Sequence, residues 1–173
     1  MTTILVSSGS TYSNATAAND AITVYDGGIV TAAVISGAGA FEIVSSGGVV
    51  SGTTVSSGGS QIVSNGGVVS ETTVISGDQF VSSGGVVSAT TVSSGGVQIV
   101  STGGVVSGTT ISNSGHQAIN GGVVRETIVS SGGRQWVFSG GVVRGTTPSG
   151  GGKQLVHYGG VVSATTVSSG GVQ

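Results

Sequence analysis

Apolar and polar positions alternate along this chain in short bursts. From Gly47 to Asn65 it reads GGVVSGTTVSSGGSQIVSN, and similar strings recur on both sides. Runs of three or four residues rich in Val, Ile and Thr are separated by corners containing Gly, Ser or Asn. Gly, Val, Ser and Thr all disfavour helix. Val and Thr favour strands, and paired glycines supply the positive φ that tight corners require. The pattern therefore predicts very short strands joined by sharp corners.

The strings are periodic. Gly-Gly-Val-Val begins at Gly47, Gly66, Gly84, Gly103, Gly121, Gly140 and Gly159, in steps of 19, 18, 19, 18, 19 and 19 residues. Gly27-Gly28-Ile29-Val30 lies 20 residues before Gly47, and a degenerate Ser8-Gly9 lies 19 before Gly27. Nineteen residues is too few for a helical hairpin repeat. It suits one coil of a β-solenoid whose strands pair in parallel with their copies one coil away. The expected fold is an all-β parallel β-helix of about nine coils, with three short strands per coil of ~19 residues. With neighbouring strands about 4.8 Å apart, the rod would be on the order of 40 Å long. The 18- and 20-residue units should differ from the rest only at corners. Pro148 takes the place of an inward Val and lacks a ladder donor, which predicts local disruption.

Numbering each unit from its first glycine separates inside from outside. Column four is Val50, Val69, Val87, Val106, Val124, Val143 and Val162; column seven is Thr53 and its copies; column nine is Val55 and its copies; column seventeen is Val44, Val63, Val81, Val100, Ile119, Val137 and Val156. These columns barely vary in size. Column sixteen holds Ile43, Ile62, Phe80, Ile99, Ala118, Trp136 and Leu155. A close-packed interior cannot take alanine and tryptophan in one slot, so column sixteen points out and seventeen in. Strand alternation then turns column fifteen inward. That column is Gln61, Gln79, Gln98, Gln117, Gln135, Gln154 and Gln173, with Glu42 one coil earlier. Stacked glutamines could bond amide to amide along the axis, and the threonines hydroxyl to hydroxyl, so that a buried polar row is satisfied. One rod is one domain. Residues 1–26 match the period worst and carry Asn14, Asn19, Asp20 and Asp26, which suits a degenerate N-terminal coil or cap. Residues 27–173 are the repeat solenoid, cut mid-repeat at Gln173, so the natural protein is expected to continue. Met1 to Ser10 has no basic n-region and no long apolar h-region of a secretory signal.

Composition narrows the function. Gly, Ser and Thr supply 85 of 173 residues, charged residues only 6%, and cysteine none. Ordinary domains carry roughly 25% charged residues. Disulfide and Cys-metal scaffolds are excluded. Four basic residues cannot neutralise many phosphates, so no nucleic-acid partner is expected. No apolar run approaches the 18 residues of a membrane helix, so no membrane insertion is expected. No cofactor is expected either. The only carboxylates in one outward column, Glu71 and Glu126, lie three coils apart, about 14 Å, too far for a glycosidase pair. His116 and His157 sit in different columns without a third ligand. The expectation is a non-enzymatic protein.

Two outward features could carry function. Column five presents Ser51, Ser70, Ser88, Ser107 and Ser163, interrupted by Arg125 and Arg144; column eight presents Thr54, Thr73, Thr91, Thr110, Thr147 and Thr166, interrupted by Ile128. A surface this poor in charge needs another source of solubility or is built to associate, and O-glycosylation of these hydroxyls would supply the first. The second feature is a patch in which Arg134, Trp136 and Phe138 alternate outward beside Lys153, Leu155 and His157, with Tyr158 at the corner. A cationic, aromatic surface suits a sugar or another domain.

The unit resembles the repeat of AIDA-type autotransporter adhesins over about residues 27–173, through the recurrence of Thr53, Val55, Gly58, Gly59, Gln61 and Val63 in register. The resemblance implies a right-handed β-helix passenger at a bacterial surface or secreted, serving adhesion, autoaggregation or biofilm formation through self-association or through cell-surface glycans or proteins. It also implies O-heptosylation of passenger Ser and Thr by a dedicated glycosyltransferase, which points to Ser51, Ser70, Ser88, Ser107 and the column-eight threonines. Two other readings stand beside it. Outward Thr-x-Ser ranks (Thr54 and Ser56, Thr91 and Ser93, Thr110 and Ser112), broken by Ile75 and Ile128, could template ice or another crystal surface. A β-helix could also host a polysaccharide-processing enzyme, although the needed acids and bases are missing.

Overall fold

In the computed structural model, which describes residues 3–173, the chain winds into a parallel β-solenoid of about eight turns with no helix. Met1 and Thr2, part of the expected N-terminal coil, lie outside the described residues. One coil runs Val49–Ser51, Thr54–Ser56, Ser60–Val63, giving the three expected strands. The third strand of every coil joins a nine-stranded sheet from Thr3–Val6 to Lys153–Val156. Nine rungs enclose eight full turns, one fewer than the count of repeat starts suggests. The other strands form a fifteen-stranded sheet, joined because Val123–Val129 and Val142–Pro148 each run through two strand positions without a break.

Register follows the columns. Gln61 pairs with Gln79, Val63 with Val81, Val69 with Val87 and Val74 with Val92. Irregular unit lengths are absorbed at corners. The unit at Gly66 loses its residue between Thr73–Ile75 and Asp78–Val81, and the unit at Gly103 between His116–Asn120 and Val123–Val129. The unit at Gly27 gains one between Val34–Ser36 and Phe41–Val44. The degenerate first copy forms the same three strands, Thr11–Ser13, Thr16–Ala18 and Ala21–Val24, and Thr3–Val6 before it adds one more rung. Its Asn14, Asn19 and Asp26 hold positive φ at corners where later copies place Ser, Ala, Gly, Asn or Glu. Asn and Asp tolerate that conformation better than most residues.

The paired glycines play different parts. Gly47, the first of its pair, has φ 80°, while the second, Gly48, takes no positive φ. Gly48 is buried, and a Cβ there would stand 2.5 Å from the Val24 carbonyl oxygen one coil below. Sequence reasoning gave both glycines the conformational role; the second is needed for close backbone approach. Gly48→Ala should therefore cost about 2–3 kcal/mol through overpacking, and Gly47→Ala only about 1 kcal/mol. Denaturant midpoints of the two variants check the order.

Pro148 is buried and ends a regular strand, with Pro148 paired to Val129. The expected disruption falls one coil later. Residues 165–168 carry no strand, although Thr166 and Ser168 still donate to the carbonyls of Thr146 and Pro148. A proline has no N–H to return to that neighbour.

The interior has two parts. Columns four and seventeen (Val50, Val63, Val69, Val81 and their copies as far as Val143) form a continuous apolar cluster, with Val162 partly buried against it. Column nine, equally buried from Val55 to Val129, is not part of it. In the last rungs the expected inward positions open to solvent: Val156 is 44% and Val167 48% exposed, and Gln173 is exposed, because no further coil covers them. A polar seam of Gln and Thr lies between. In the first two coils Ala15 and Ala33 stand in place of Thr and Ile22 in place of Gln, and there Ala17 and Ile35 of column nine join the cluster.

Candidate functional site

The seam is built by repetition. Each Gln Nε2 donates to the Oε1 of the previous rung: Gln79 to Gln61, Gln98 to Gln79, Gln117 to Gln98, Gln135 to Gln117 and Gln154 to Gln135, at 2.5–2.7 Å. The amide ladder is as the sequence suggests. The threonine ladder is not. Thr72 Oγ1 donates to Gln61 Oε1 at 3.2 Å, Thr109 to Gln98 at 3.3 Å and Thr146 to Gln135 at 3.0 Å. Each hydroxyl reaches across the interior to a glutamine eleven residues back, because the facing amide carbonyl has a second lone pair to offer.

Glu42 ends the seam. Its Oε2 accepts from Gln61 Nε2 at 2.7 Å and from Thr53 Oγ1 at 3.1 Å. Its rung neighbour on the other side is Ile22, and Glu42 Oε1 is buried without a partner. Burial raises its pKa to about 7, against the lowering effect of the bonds from Gln61 and Thr53. The ladder runs in one direction, so its first member needs only to accept. Glu42 Oε2 meets that need whether or not Oε1 carries a proton, whereas a glutamine would aim both N–H groups of an unpaired NH₂ at Ile22. Sequence reasoning recorded Glu42 in the Gln column and missed this role. The signal was there: the residue before Glu42 in that column is apolar.

On the outside, the serines of column five align in register, Ser51 with Ser70, Ser70 with Ser88 and Ser88 with Ser107. They are half-buried, and Ser163 is exposed. In the next two coils Arg125 and Arg144 take their place as a pair. In column eight Thr54 pairs with Thr73, Thr73 with Thr91 and Thr91 with Thr110. Ile128, 50% exposed, follows, and then Thr147; Thr166 lies beyond the strands. Ile75, also exposed, breaks the Thr-x-Ser ranks between Ser56 and Ser93. Glu71 and Glu126 both hold positive φ, at 55° and 56°, at exposed positions in different coils.

The aromatic patch is brought together as expected. Arg134 pairs with Lys153 and Trp136 with Leu155 on adjacent rungs. Two stacked ring pairs cross the patch. His116 and Trp136 lie with centroids 5.1 Å apart and planes at 13°; Phe138 and His157 lie 4.6 Å apart at 12°. Neither histidine is an isolated surface group. Burial first, and then the charge of Arg134, holds the His116 imidazole below its usual pKa. Its Nδ1 has no partner. Tyr158 stands free at the corner, 99% exposed. Among the described residues, no group of three or more His, Asp or Glu side chains converges as metal ligands would.

This geometry defines a repetitive β-solenoid stalk with a sealed interior and a hydroxyl-rich exterior. Residues 112–171 match the family described as "Adhesin of bacterial autotransporter system, probable stalk". Among solved structures, the chain is similar to a TibC-catalysed hyper-glycosylated fragment of TibA. The identity is 29% over 98% of this chain and 90% of that one, with a TM-score of 0.59. No curated protein sequence matches it significantly. Both findings support reading the coils as repeats of the AIDA type: the family match covers residues 112–171, and the likeness to the TibA fragment extends over nearly the whole rod.

Proposed function

We propose that this chain is a non-enzymatic stalk segment of an adhesin passenger, displayed at a bacterial surface or secreted, that holds cells together by self-association. The observation that carries the reading is the exterior of the rod: long in-register columns of Ser and Thr with few charges, on AIDA-type coils. Surfaces of this kind carry little electrostatic repulsion between copies. Cells displaying the chain should clump and settle within hours, while cells displaying a scrambled control should stay dispersed. Dispersed cells at high surface display, verified by antibody, would overturn the reading.

The same columns are candidate acceptors for O-linked sugars, and a protein O-glycosyltransferase is the matching partner. The similar TibA fragment is described as glycosylated by TibC, which supports this. Co-expression with such an enzyme should give a ladder of added hexose- or heptose-sized masses in the intact protein. Replacing Ser51, Ser70, Ser88 and Ser107 by Ala should shorten that ladder. An unmodified mass under conditions that glycosylate the TibA fragment would remove this part of the proposal and leave the adhesive part standing.

A further inference from the structure

The charges of the chain are sorted along the rod. Five carboxylates and no Lys or Arg precede residue 125; between 125 and 153 stand all four cations and one carboxylate, Glu126. Two of the cations, Arg134 and Lys153, face each other across adjacent strands. Like charges directly opposite destabilise a sheet unless something neutralises them. They flank the two stacked ring pairs, His116–Trp136 and Phe138–His157.

The chemistry of this face is weighted toward donors. Arg, Lys and the indole N–H donate and do not accept, the imidazoles can do either, and no carboxylate or side-chain amide oxygen belongs to the cluster. Aromatic ring edges add the positive end of the ring quadrupole. The surface therefore asks for a partner rich in negatively charged acceptors. Two cations are too few to hold a nucleic acid, whose binding rests on many phosphate contacts. The donors repeat at the rung spacing of about 4.8 Å on a stiff sheet, which fits a stiff linear polymer whose charges recur at every one or two units. We infer that the outer face formed by Arg134, Trp136, Phe138, Lys153 and His157 binds a linear acidic polysaccharide, with its carboxylate or sulfate groups on Arg134 and Lys153 and its sugar rings against the aromatic cluster. This deepens the adhesive reading by giving one face a ligand class. Oligosaccharide binding by the purified chain and clumping of cells are separate measurements, so either can fail alone.

The chain has a single tryptophan, Trp136, so its fluorescence reports on this face directly. Titration with a size-defined oligogalacturonate or a heparin-derived oligosaccharide should change the emission saturably, and the affinity should fall as salt rises. Comparing the two shows whether carboxylate or sulfate is preferred. A neutral dextran oligomer of equal length should have no effect. R134S/K153S should weaken binding about tenfold or more, and K153S alone, at an exposed position, should weaken it measurably. R125S/R144S, which removes the other cation pair, should bind like the parent. Circular dichroism confirms that each variant keeps its strands. The inference is overturned if dextran acts like the acidic oligomers, if R125S/R144S loses as much as R134S/K153S, or if an oligo-glutamate peptide binds more tightly than either saccharide. It is also overturned if the emission change proves to follow self-pairing of the chain, seen as a concentration-dependent dimer by sedimentation without sugar.

Discussion

Replacing Gln98 by leucine should lower stability by about 3–5 kcal/mol. Gln98 is fully buried and lies in the middle of the amide ladder. Its Nε2 donates to Gln79 Oε1 at 2.6 Å, and its Oε1 accepts from Gln117 Nε2 at 2.5 Å and from Thr109 Oγ1 at 3.3 Å. Leucine keeps the volume but strips partners from buried groups on both sides. Each buried polar group left unpaired costs about 1–3 kcal/mol. Gln117 keeps a bond to Thr109 at 3.3 Å and Gln79 Oε1 still accepts from Thr90 at 3.4 Å, which together offset part of the loss. Val100→Ala in the same rung should cost less, about 1–3 kcal/mol, since it removes only methyl groups from the apolar cluster. Coils of a solenoid contact only their neighbours, so the damage should be local. Hydrogen exchange should rise at residues 97–119 before the rest of the rod opens. A denaturant midpoint for Gln98→Leu equal to that of the parent would show that the seam contributes nothing.

The parent protein should lose about 3 kcal/mol of stability as pH rises from 4.5 to 7, through Glu42 alone. In the unfolded chain this carboxyl ionises near 4.5; in the folded chain burial against Ile22 holds its proton until about 7. The folded state therefore binds the proton more tightly, and stability falls wherever the unfolded carboxyl has ionised and the folded one has not. Its contribution is complete below pH 4.5, shrinks through 7 and is constant above. A shift of this size corresponds to about 3 kcal/mol. Burial also raises the pKa of Asp78, which acts in the same direction, while the lowered pKa of His116 acts in the opposite one. The measurement is thus the difference between the parent and Glu42→Gln across pH 4–8. The variant keeps the acceptor for Gln61 and Thr53, pays a fixed cost for its unpaired NH₂, and should lose the Glu42 part of the pH slope. Parallel curves for the two proteins would sink this account of Glu42.

Which residues face inward could be read without coordinates. Column sixteen runs from Ala118 to Trp136 and column seventeen stays Val or Ile, and only a solvent-facing slot tolerates the first. The aromatic patch was legible for the same reason: Arg134, Trp136 and Phe138 share the outward parity of one strand with Lys153, Leu155 and His157 on the next. The hydroxyl columns were legible as columns. What sequence could not rank was the reach from one column to another. The step from Thr72 to Gln61 crosses the interior, and nothing in a nineteen-residue period gives the width of that interior.

Periodicity alone fixed the parallel stacking, the inward Val, Thr and Gln positions of all but the last rungs, where Val156, Val167 and Gln173 are exposed, and the absorption of odd unit lengths at corners. A parallel ladder places every copy of a column in the same surroundings, so variation within a column reports its environment directly. The tertiary structure alone decided that threonine donates to glutamine, that the second corner glycine makes room for a carbonyl one coil below, that histidine and aromatic rings stack in pairs, and that Glu42 closes the polar seam. Each of these depends on distances between different columns across the coil, and those are set by how the three strands of a turn close on one another.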